Sequence, residues 1–94
     1  MRRSLPLAAL FAALALPASA DCFAEYKAKR DDPLRLHYGI MALPAPCPDR
    51  RAAAGALAPR LAAAGWTLLD VVALSTTQPT DEMQANAGQH YLRY

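Results

Sequence analysis

Residues 22–43 read Cys-Phe-Ala-Glu-Tyr-Lys-Ala-Lys-Arg-Asp-Asp-Pro-Leu-Arg-Leu-His-Tyr-Gly-Ile-Met-Ala-Leu. Residues 22–30 alternate with period two. Cys22, Ala24, Tyr26 and Ala28 share one face, and Phe23, Glu25, Lys27 and Lys29 share the other. That is the pattern of a half-buried strand. Asp31-Asp32-Pro33 is a turn signal. Residues 34–43 alternate again, with Leu34, Leu36, Tyr38, Ile40 and Ala42 on one side and Arg35, His37, Gly39, Met41 and Leu43 on the other. Directly opposed residues of a hairpin share a face. The more apolar faces coincide when Tyr26 opposes Tyr38, Ala24 opposes Ile40 and Ala28 opposes Leu36, and that register is the expected one.

Downstream, Pro44-Ala45-Pro46 ends the second strand. Pro48 suits a first helical turn, and Asp49 just inside favours the positive helix end. An Ala-rich amphipathic helix is expected over 49–64, with Leu57 and Leu61 on its apolar stripe. Pro59 should kink it, and Gly65 should stop it. Residues 66–75 (Trp-Thr-Leu-Leu-Asp-Val-Val-Ala-Leu-Ser) form the strongest strand. The polar stretch 76–88 reads as a long loop, and 89–94 as a short last strand. The predicted fold is α+β: one four-stranded antiparallel sheet, ββαββ in order 2-1-3-4, with a single helix on one face.

Upstream, Met1-Arg2-Arg3, an apolar run from Leu5 to Leu16, Pro17 and Ala18-Ser19-Ala20 have the layout of a secretory signal cleaved after Ala20. A periplasmic or secreted bacterial domain of residues 21–94 is the expectation, with no membrane attachment after cleavage. The whole chain has ten Lys/Arg and eight Asp/Glu over 94 residues. Removing Arg2 and Arg3 leaves eight against eight, a net charge of zero. A neutral domain of this composition is not a disordered tail or a nucleic-acid binder. Cys22 and Cys47 are the only cysteines, and an even pair in a small exported domain predicts one structural disulfide.

Glu25-Tyr26-Lys27, Gly65-Trp66-Thr67-Leu68 and Tyr91-Leu92-Arg93-Tyr94 together resemble a small bacterial family of unknown function. Its hallmarks are an early Glu-Tyr-Lys strand, a Gly-Trp-x-Leu junction and a terminal aromatic-x-Arg strand. The resemblance implies a fold of this kind and carries no activity.

The expected register places Lys27 opposite His37 and Lys29 opposite Arg35 on the open face of the sheet. These four residues form a candidate basic patch for an anionic ligand or a protein partner. Asp70 is the expected ion-pair partner of Lys27 or Arg93. Phe23, Met41, Trp66 and Val72 on the same face form either a contact patch, suited to a homodimer, or a small second core beneath the 76–88 segment. No cofactor or metal site is expected, because His37, His90, Met41 and Met83 have no ligand spacing. Ser75, Thr76 and Thr77 have no base at a fixed spacing, so nothing assigns a catalytic residue. Two functions remain. One is a small exported binding or interaction module. The alternative is a small hydrolase or metal-handling protein using His37, Asp70 and the 76–88 segment.

Overall fold

The computed structural model describes residues 21–94, and the expected signal at 1–20 lies outside the described residues. Strand β1 (Asp21–Arg30) pairs with β2 (Arg35–Pro44), and helix α1 (Arg50–Ala63) leads into β3 (Thr67–Ser75). Helix α2 (Asp81–Ala87) and a 3-10 turn (Gly88–His90) follow. The sheet is antiparallel, with three strands in the order β2-β1-β3. The α+β class, the hairpin, the helix and the central place of β1 agree with the sequence.

The hairpin register differs from expectation by one residue. Tyr26 stands opposite Gly39, Ala24 opposite Met41, Ala28 opposite His37 and Lys29 opposite Leu36. The turn takes four residues, 31–34, so Leu34 belongs to it and β2 slides by one position. A slip of one residue exchanges the faces of the whole strand. Met41 and Leu43 therefore lie beneath α1 with Tyr26, while Leu34 and Leu36 are left 64% and 66% exposed. Bulk decides between the two registers. A Cβ at residue 39 would collide with the ring and hydroxyl of Tyr26, which only glycine admits. Tyr38 at that position, as the alternation suggested, would leave the buried phenol no room.

Helix α1 starts one residue later than expected. Asp49 is its N-cap and accepts a hydrogen bond from the Ala52 amide at 2.7 Å. The helix runs through Pro59 to Ala63. Gly65 then takes φ +88°, the Gly65 amide donates to the Ala62 carbonyl, and the Trp66 amide donates to that of Leu61. This is the Schellman arrangement that a C-terminal glycine makes available. The helix buries Ala53, Leu57 and Leu61 against the sheet. Each leucine stabilises the fold by roughly 1.5–3 kcal/mol through the apolar surface it removes from water. Cys22 and Cys47 are joined, with Cα atoms 5.0 Å apart, and tie β1 to the segment entering α1.

The second half departs further from expectation. The stretch 76–88 contains α2, capped by the Thr80 hydroxyl, which accepts from the Met83 amide at 3.1 Å. Asp81 and Glu82 occupy its first turn, the favourable end for negative charge. Helix α2 covers the outer face, where Phe23, Ile40 and Ala87 form a second small cluster with Tyr38, Met83 and Tyr91. By crossing that face, the chain reaches the edge of β2 and not that of β3. Tyr91 makes a single parallel bridge to Ile40, and the Leu92 amide donates to the Ile40 carbonyl at 2.8 Å. No fourth strand of the expected order 2-1-3-4 forms among the described residues. Arg60 fixes this edge from α1, donating to the main-chain oxygens of Ala42 and Tyr94. Two bulges in β3, at the shifts Glu25/Tyr26 and Lys27/Ala28, turn Leu69 and Val72 outward.

Candidate functional site

The last residue of β1 and the first of β2 bring Arg30 and Arg35 to the same end of the sheet. His37 follows Arg35 on the same face, and the Gly65 turn sets Trp66 beside them. The 3-10 turn adds Gln89 and His90 from the other direction. Together with Leu36, these six residues line a cleft of about 370 Å³.

Arg30 is held in three ways. Its Nη2 donates to the Ala64 carbonyl at 3.1 Å, its Nε donates to the Gly65 carbonyl at 3.5 Å, and its guanidinium lies 4.1 Å above the Trp66 ring. The carbonyls belong to the negative end of α1, where a cation is favoured. The Arg35 side chain makes no hydrogen bond or ion pair among the described residues. Lys29 with Asp31, at 3.3 Å, is the one ion pair among them. Both guanidinium charges therefore face the cleft without a carboxylate to neutralise them.

His37 and His90 stack at the floor, 3.6 Å between ring centres and 11° from parallel. Each imidazole has a phenol for a partner. The Tyr26 hydroxyl and His37 Nε2 share a hydrogen bond of 2.9 Å, as do the Tyr94 hydroxyl and His90 Nδ1. Burial, then the charge of His90, then that of Arg30 lower the His37 pKa to about 4. Burial, Arg93 and Arg30 lower that of His90. Burial, with Tyr94 nearby, pushes the Tyr26 phenol well above its usual range. Near neutral pH the pair is uncharged and Tyr26 keeps its proton. With Tyr26 as donor, the His37 proton belongs on Nδ1, a buried atom with no partner among the described residues.

The four expected patch residues fall on two faces. Arg35 and His37 are in the cleft, whereas Lys27 and Lys29 point to the outer face, a direct result of the register. Lys27 lines a second hollow of about 270 Å³ with Ala28, Tyr38 and Leu69, and this hollow shares Leu36 and His37 with the cleft. Asp70 stands across from Lys27 without an ion pair and lies on the opposite face from His37. Trp66 and Met41 belong to the core beneath α1, not to the outer face, and Phe23 belongs to the small second core. Arg30 and Gln89 were not singled out from the sequence, and Tyr94 stood only as part of the terminal motif. Period two did place Arg30 on the face of Tyr26 and Ala28, so its position was readable. No three His, Cys, Asp or Glu side chains group to hold a metal among the described residues.

No protein-family model matches this chain, and no curated protein or solved structure matches it.

Proposed function

We propose that the protein is a small exported binding module that captures an anionic ligand in the cleft between Arg30, Arg35, Trp66 and the His37–His90 pair. One observation carries this reading: two guanidinium groups without carboxylate partners converge on one cleft of a domain whose net charge is zero. Local placement, not bulk composition, makes the cleft positive. Arg30 is already oriented by α1 and Trp66, so little side-chain entropy is lost when an anion meets it. Arg35 supplies the second, adaptable contact, and Gln89 adds a neutral hydrogen-bonding side chain. The Cys22–Cys47 bond supports an oxidising destination. Exposed Leu36, Leu69 and Val72 support self-association through the outer face.

The test is an equilibrium titration of the mature protein with sulfate, inorganic phosphate and a small tricarboxylate. At least one should bind, more weakly as salt rises. Arg35→Glu should abolish that binding, whereas Lys27→Glu, on the opposite face, should leave it unchanged. Equal loss in both variants would show a response to overall charge and sink the assignment to the cleft.

A further inference from the structure

We infer that an anion entering this cleft brings a proton with it, taken up from solvent by the stacked His37–His90 pair. This rests on the anion-binding reading and names how the site is regulated. The geometry supplies three reasons.

The first is the stack itself. Two imidazoles 3.6 Å apart and nearly parallel repel each other once charged. The second is the charge of everything that faces them. From β1 come Arg30, the neutral phenol of Tyr26 and, across the adjoining hollow that His37 also lines, Lys27. From β2 comes Arg35, and from the terminal segment come Arg93 and the hydroxyl of Tyr94. The cleft lining contains no carboxylate. Every charge near the pair is positive, so the empty cleft holds both rings neutral. A bound anion is the one arrival that reverses the sign of the field.

The third reason lies in the hydrogen bonds. Tyr26 and Tyr94 meet His37 and His90 through hydroxyls, which donate or accept equally well. When an imidazole gains a proton on the bonded nitrogen, that N–H becomes the donor and the hydroxyl turns to accept. Neither 2.9 Å bond is lost. Protonation thus opposes only desolvation and cationic repulsion, and an anion offsets the second directly.

The sign of the pH dependence follows. The folded, empty protein binds a proton at His37 less readily than the unfolded chain, whose histidine titrates near about 6.5. Stability is therefore full above that value and is lost as pH falls toward about 4. An anion that raises the folded-state pKa must bind more tightly over the same interval and restore part of that stability.

Sulfate is the probe, since its charge is constant over this range. Ring resonances of both histidines are followed by NMR against pH, with and without sulfate, at ionic strength matched with chloride. Sulfate should raise at least one imidazole midpoint by about one pH unit, and for a midpoint moved from about 4 to about 5 its Kd should be about twofold lower near pH 5 than near pH 7.5. Equal sulfate affinity at both pH values with unmoved midpoints would overturn proton coupling and leave the anion site standing. No sulfate binding at either pH would overturn the anion site and the coupling together. His90→Asn, on the partly exposed terminal segment, should raise the His37 midpoint in the sulfate-free protein. An unchanged midpoint in that variant would overturn the role of the pair.

Discussion

Beneath α1, Cys22, Ala24, Tyr26, Ala28 and Met41 are wholly buried, and a 14-residue helix spans them. Beneath α2, Phe23 and Ile40 are covered by a helix of seven residues, and Leu69, on the same outer surface, remains 51% exposed. One sheet thus has a finished face and a partly finished one. The difference teaches where stability and function divide. The long helix closes the core, and its C-terminal turn presents Arg30 and Trp66. The short helix closes less, but it carries the chain across the sheet and delivers His90 and Tyr94 to the site.

Cutting the staple on the finished face should have the largest effect. Replacing Cys22 and Cys47 together by serine should cost about 3–4 kcal/mol of unfolding free energy in the chain-entropy account of a closed loop of this length. Urea denaturation reads it. A loss no larger than that of an ordinary surface change would mean that the core beneath α1 holds the hairpin without the bond.

Overpacking the register pin comes next. Gly39→Ala pushes a methyl group into the buried Tyr26 ring and should destabilise by about 1–3 kcal/mol. The second variant, Tyr26→Phe, removes only the hydroxyl. If Gly39→Ala costs less in that background, the clash between residues 39 and 26 is the cause, and a double-mutant cycle measures it.

The smallest effect belongs to the outer face. Thr80→Ala removes the side-chain cap of α2 and should cost about 1 kcal/mol. Because α2 leads into the 3-10 turn, the same change should broaden the His90 ring resonance while leaving amide exchange at Leu57 and Leu61 in α1 unmoved. A matching change in α1 would show that the two faces act as one cooperative unit, erasing the contrast between them.

Strand positions, the turn, the helix with its glycine stop and the cysteine pair were all readable, because each rests on local pattern. The register was not. Both sides of β2 carry apolar residues, and two leucines argued for the side that the structure exposes. What settles the matter is a pair of residues, Tyr26 over Gly39, that alternation within one strand does not encode. Helix α2 was hidden for another reason. Its signal is four residues, Thr80 through Met83, inside a polar stretch with few apolar positions to show a period. The site followed both errors: His37 and His90 meet only when β2 takes the observed register and α2 crosses the outer face.

The arginines at the two edges have a consequence for how this chain behaves in a crowded compartment. An exposed strand edge is a template on which copies can add without limit. Here the β2 edge is occupied by Tyr91 and Leu92, with Arg60 bound to the Ala42 carbonyl alongside. The β3 edge is kinked by two bulges, and Arg50 binds the Val71 carbonyl there. The β2 border is interrupted at Ile40 and Ala42 and the β3 border at its two bulges, so neither offers an unbroken row of open amides and carbonyls along its whole length.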